Sequence, residues 1–291
     1  MALRTDLALE SAQAVKPSVS EEYPGIKQQE FEKAQCKIIR TTIETSEAAQ
    51  AISKAVGEYV TIETDNASGL DAFPEYFDEQ VELLAEEINR IAGKKGKYLV
   101  IGLGNDDITP DALGPLVAKQ IFATRHIPTE MPGFEEFSEL SSVACIAPGV
   151  LGETGIEVAE ITKAVCEKIK PELVIVIDAL ACAEISRLGN TIQITNTGIS
   201  PGSGVKNSRK ELSKATLDVP VIALGVPTVV DMNTIAEAIT GKPALKKEYS
   251  DVMVTPRSVD KLIERSANLI AMGINRAIQP TLTIEDITSL I

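Results

Sequence analysis

Apolar residues follow two rhythms along this chain. Short, nearly continuous apolar runs predict strands at about 35–45, 57–64, 97–104, 143–147, 173–178, 191–195 and 220–225. Between them, apolar positions recur every three or four residues. In FPEYFDEQVELLAEEINRIAG, Phe77, Val81, Leu84, Ile88 and Ile91 fall on one helical face. Further helices are predicted over SEAAQAISKAV with Ser46 as its cap, over TPDALGPLVAKQIFATR, from about Glu153 to Ile169, from about Ser258 to Ala277, and in the tail TLTIEDITSLI. Apolar runs separated by helices indicate a mostly parallel sheet covered on both faces, so the fold class is α/β, a three-layer sandwich. The chain shows no internal repeat and no long linker, and HIPTEMPGFEEFSEL is the best candidate for an excursion from a single domain.

Composition narrows the chemistry. With 291 residues the chain can bury a large core, and 44% hydrophobic with 24% charged residues is ordinary for a globular protein. No run of apolar residues is long enough to span a membrane, and the N-terminus lacks an apolar signal core, so a soluble protein retained inside its cell is expected. A net charge of −14, from 28 basic and 42 acidic residues, opposes direct binding to nucleic acid. Cys36, Cys145, Cys166 and Cys182 lie far apart and read as reduced structural thiols. The single histidine, His126, stands beside prolines in TRHIPTE and reads as a solvated loop residue. With one histidine, most nucleophile triads and every HExxH zinc site are hard to build, and carboxylates become the first suspects for hydrolytic chemistry.

In open parallel sheets, functional groups gather beyond the carboxyl ends of the strands. The strand YLVIGLG runs into NDDITPDALGP. A dinucleotide loop would need a third glycine where Asp107 stands, and Asp106, Asp107 and Asp111 would repel a pyrophosphate. Asp111 has an alternative, structural explanation: Thr109 as helix N-cap, Pro110 at the first position and an acid in the first turn. Asp178 ends the run LVIVID, where an ionised carboxylate is costly without partners. On neighbouring strands the two carboxylates can converge, either sharing a proton to act as base and acid toward water or holding a divalent metal ion that activates it. A third acid, Asp231, follows the run ending in ALGVPT. Two glycine-rich loops flank this region, APGVLGETG and NTGISPGSGVKNSRKELS. The second carries Lys206, Arg209 and Lys210, either a solvated surface loop or a positive wall that receives an acidic substrate side chain.

The blocks GLGNDDITPDALGP, APGVLGETG, VIVIDALA, NTIQITNTGISPGSGV, RKELS and VIALGVPTVVD resemble, in order and spacing, those of the germination protease family of spore-forming bacteria. The resemblance runs from RTDLALE to the C-terminal region, although Cys182 and Ala183 in DALACAE are less polar than the family's sequence there. It implies a fold similar to the hydrogenase maturation endopeptidases, whose metal-binding carboxylates match Asp111 and Asp178. It also implies that these two residues are the catalytic pair of an endopeptidase that cuts small acid-soluble spore proteins after an acidic residue. Such an enzyme is a homotetramer of the spore cytoplasm, made as a zymogen. RTDLALE looks like the family's cleavage setting, so residues 1–6 are expected to be a propeptide removed by self-cleavage between Asp6 and Leu7, leaving 7–291 as one protease domain. The rival expectation is a nonenzymatic or nucleotide-binding α/β module.

Overall fold

The computed structural model describes residues 5–15, 22–64, 76–127, 139–202, 209–241 and 252–291. Its strands are β1 (Ile26–Lys33), β2 (Cys36–Ile43), β3 (Gly57–Thr64), β4 (Lys97–Gly102), β5 (Ser142–Ile146), β6 (Leu173–Cys182), β7 (Thr191–Thr195), β8 (Val221–Asp231) and β9 (Met253–Val254). Its helices are α1 (Ala8–Gln13), α2 (Ser46–Ile52), α3 (Phe77–Ala92), α4 (Leu113–Ala118), α5 (Leu151–Thr154), α6 (Val158–Ile169), α7 (Lys214–Leu217), α8 (Met232–Thr240), α9 (Val259–Ile278) and α10 (Ile284–Leu290).

All the strands form one sheet in the order β1, β2, β3, β7, β8, β6, β4, β5, with β9 against the end of β8. The strands β5, β4, β6 and β8 pair in parallel. The remaining pairings are antiparallel, so the expected parallel character is concentrated in one half of a mixed sheet. Alternate residues of the parallel strands feed two apolar layers, as strand geometry requires. Val100, Ile175 and Ile177 pack with Val81, Leu84 and Ile88 of α3 and Ile270 and Ile274 of α9. Leu99, Ile101, Val174 and Val176 pack on the opposite face with Cys166 of α6 and Leu217 of α7.

Several predicted elements change at their ends. The N-cap of α2 is Thr45, which accepts from Ala48 N at 3.2 Å, rather than Ser46. The helix expected from Glu153 is interrupted at Gly155, whose φ of +69° closes α5 before α6 begins. The helix expected over 109–125 is much shorter. A 3-10 turn, Thr109–Asp111, precedes α4, and the chain after α4 bonds instead to Asn275 of α9, which accepts from Phe122 N and donates to the Gln120 carbonyl. The predicted strand at 35–45 is β2, and it pairs in a hairpin with β1, which has no counterpart among the predicted elements. The hairpin turns through Ala34 and Gln35, both at positive φ, and Arg40 stacks 4.6 Å above the Phe31 ring. Most of the expected excursion near residue 130 lies outside the described residues. His126 is exposed on a turn, and the four cysteines are free thiols.

Candidate active site

The chain leaves β4 for β5 on one side and later returns to β6 on the other, so β4 and β6 flank the point where the winding of the parallel half reverses. A crevice opens at such a point, beyond the carboxyl ends of the strands. Asp111 follows β4, and Asp178 stands one residue beyond Ile177, the partner of Gly102.

Asp111 is brought to the crevice by an unusually close approach of backbone to backbone. Gly104 has φ of +114°, and a Cβ there would lie 1.9 Å from the Asp111 carbonyl oxygen. A Cβ on Gly102 would lie 2.1 Å from the Gly114 carbonyl oxygen. The glycines that hinted at a phosphate loop therefore make room for the Asp111 turn. Thr228 Oγ1 on β8 ties that turn down by donating to the Pro110 carbonyl at 2.7 Å. Thr109 does not act as an N-cap. The side chain of Asp111 instead accepts from Asn105 N at 2.8 Å. Burial raises its pKa, the Asn105 N–H opposes that, and Glu153 adds to it.

Asp178 is buried, and β6 continues four residues past it instead of ending there. Its Oδ1 accepts from Ala179 N at 2.9 Å. Burial pushes its pKa well above the usual carboxylate range, and Asp111 and then Asp6 push it further. Asp231 is different. It caps α8, accepting from Asn233 N at 2.8 Å and Thr234 N at 3.3 Å, which is a structural role.

Asp111 and Asp178 line one cavity of about 640 Å³ with Asp6, Val150, Arg209 and Thr228. The N-terminal segment thus enters the crevice. Asp6 N donates to the Ala181 carbonyl and Ala181 N donates back to Asp6 Oδ2, both at 2.9 Å, so a backbone N–H of β6 receives the acidic side chain. The Asp6 carbonyl accepts from Lys54 Nζ at 2.9 Å and Gln193 Nε2 at 3.1 Å. Leu7 is fully buried against Leu180, Cys182 and Val230, so the apolar Cys182 serves as packing.

Of the basic loop, Arg209 and Lys210 both line the cavity, Lys210 also pairing with Glu160 at 2.7 Å, and Lys206 lies outside the described residues. Sequence reasoning missed Lys54 and Gln193. Gln193 left one signal, a long polar side chain in the otherwise apolar run TIQIT; Lys54, at a helix end, left none. Among the described residues no group of three or more His, Cys, Asp or Glu side chains is placed to hold a metal ion. Catalytic zinc takes three protein ligands, so the described side chains do not make up such a zinc site.

The profile of the family described as germination protease matches residues 3–241. A germination protease of Clostridium tetani is 39% identical over 324 aligned positions, covering 99% of this chain and 99% of that protein. One from Caldanaerobacter subterraneus is 41% identical, covering 100% of this chain and 98% of that protein. Among solved structures, a nickel-iron hydrogenase maturation protease from Thermococcus kodakarensis is 19% identical with a TM-score of 0.37, covering 66% of this chain and 98% of that one.

Proposed function

The chain belongs to the germination protease family, and from that premise we propose that it starts the digestion of small acid-soluble spore proteins by cutting after an acidic residue. Membership of a peptidase family makes it an endopeptidase and removes the nonenzymatic and nucleotide-binding alternatives. The observation that carries the finer reading is one cavity at the sheet's reversal point, lined by Asp111, Asp178 and an acid of the chain's own N-terminus.

In this reading Asp178, the more strongly raised of the pair, holds a proton, and Asp111 takes one from water. The water oxygen adds to the scissile carbonyl carbon. As the C–N bond breaks, the proton from Asp178 goes to the departing nitrogen. Asp6 occupies the place of the acidic residue before the cut, so residues 1–6 act as a propeptide that blocks the cavity until the Asp6–Leu7 bond is hydrolysed. Lys206 and Arg209 supply positive charge for acidic substrates. The enzyme works as a homotetramer in the cytoplasm of the spore.

The test is digestion of a purified small acid-soluble spore protein, followed by intact mass and N-terminal sequencing of enzyme and products. Wild type should cut after acidic residues and come to begin at Leu7. Asp111→Asn and Asp178→Asn should stay folded and lose at least about 100-fold in both reactions, the scale of general acid–base catalysis. Substantial activity in either folded variant removes that residue from the pair.

A further inference from the structure

Every polar backbone group around the Asp6–Leu7 bond is held. Gln193 spans the bond, donating from Nε2 to the Asp6 carbonyl at 3.1 Å while its Oε1 accepts from Ala8 N at 2.6 Å. Leu7 N donates to Thr5 Oγ1 at 2.9 Å. Lys54 Nζ bridges two successive carbonyls, Thr5 at 3.1 Å and Asp6 at 2.9 Å. The Asp6 carbonyl oxygen therefore receives two side-chain N–H donors together, placed on the atom where negative charge would develop when water adds to this carbonyl. Such placement is not a by-product of regular structure. Ser53 ends α2 at φ of 54°, turning the chain so that Lys54 reaches the segment, and Gln193 lies level with Asp178 across the side-chain-free Gly225. Asp6 also lines a second cavity, of about 260 Å³, with Lys54 and Gln193.

We propose that Lys54 and Gln193 are the oxyanion-stabilising residues of this protease, acting on the Asp6 carbonyl during self-cleavage and on the equivalent carbonyl of protein substrates afterwards. This rests on the reading of Asp6–Leu7 as the self-cleaved bond. When water adds to the Asp6 carbonyl carbon, the π pair moves onto oxygen and one water proton passes to a carboxylate. The resulting alkoxide is held by the two N–H donors already in place. When the pair returns, the C–N bond breaks, the Leu7 nitrogen takes a proton, and Asp6 keeps the new carboxyl group. Burial lowers the pKa of Lys54 and so disfavours its charged form, which the negative charges of Asp6 and Glu10 oppose.

The test follows self-cleavage of the full chain by intact mass, with thermal unfolding of each variant as the control for folding. Lys54→Met and Gln193→Met should each slow the appearance of the Leu7 terminus by about 100- to 1,000-fold, the usual effect of removing one oxyanion donor. Lys54→Arg should restore most of the rate, because it returns a cationic donor. A folded Lys54→Met or Gln193→Met chain that cleaves within about threefold of wild type overturns the proposal, and so does an arginine variant no faster than the methionine one. If one methionine variant fails to fold, the other decides. Wild type that never acquires a Leu7 terminus overturns the cleavage reading itself, and the clamp with it, a result distinct from normal wild-type cleavage with unaffected variants.

Discussion

Replacing Gly104 with alanine isolates the step by which the glycines after β4 deliver Asp111. The new methyl would begin 1.9 Å from the Asp111 carbonyl oxygen, whereas real Cβ atoms essentially never come within 3.0 Å of such a neighbour. The turn Thr109–Asp111 must therefore retreat by about 1 Å, a misplacement that can cost on the order of 100-fold in rate. A side chain at φ of +114° adds roughly 1–3 kcal/mol of strain and the overpacking about 1–3 more, so Tm should fall by roughly 8–16 °C for a loss near 4 kcal/mol. The control is Gly152→Ala in the same cavity, where an added Cβ meets nothing within 4 Å. Differential scanning calorimetry and peptide cleavage measured on both variants decide the matter. If Gly104→Ala keeps the Tm and rate of Gly152→Ala, the close approach is not what positions Asp111.

Arg209→Met should raise KM for substrates with glutamate before the scissile bond more than for neutral analogues, and equal effects would count against a charge-receiving role. The raised pKa of Asp178 fixes a second outcome. Between the ordinary value of 3.8 and the higher folded value, the folded chain holds a proton that the unfolded chain has released. The contribution of this group is thus whole below about pH 4 and is lost as pH rises through the folded pKa. Asp178→Asn escapes that loss, so its denaturant midpoint should exceed that of wild type at neutral pH, with the gap closing on acidification; a gap that widens toward acid refutes the sign. Treatment with a chelator should leave cleavage undiminished, and activity lost to the chelator and regained with a divalent ion would restore the metal reading.

What was legible in the sequence was what depends on local pattern. The apolar faces of α3 and α9 and the buried runs of β4, β6 and β8 announce themselves by periodicity, and the two acids stand out because they follow such runs. Long-range partners explain the rest. The helix expected through Arg125 stops early because Asn275, more than 150 residues away, takes the hydrogen bonds of Gln120 and Phe122. The strand β1 has only Ile26 fully buried, so an edge strand of mostly exposed residues left no apolar run to read. Lys54 and Gln193 gain their meaning from the carbonyl opposite them, which no spacing along the chain reveals.

In the proposed reading, the same contacts let the segment ending at Asp6 block the cavity and then leave. Upstream of the cut, Thr5 and Asp6 are held chiefly by hydrogen bonds to Ala181, Lys54 and Gln193, each worth on the order of 1 kcal/mol because water can replace it. Downstream, Leu7 and Leu9 are fully buried, and burial of such side chains contributes roughly 1.5–3 kcal/mol each. Glu10 accepts from Ala183 N at 2.7 Å and Glu184 N at 2.9 Å and pairs with the buried Arg187, which also holds Glu63 at 2.7 Å. A cut after Asp6 would fall on the boundary between what the crevice holds and what the core holds. In that reading inhibition depends on where Asp6 sits. Its departure would also remove one of the two acids that raise Asp178, so the pKa of Asp178 should come down on processing. Because Asp178 must hold its proton to act as the acid, the alkaline limb of the pH profile should lie at lower pH for the processed enzyme than for self-cleavage.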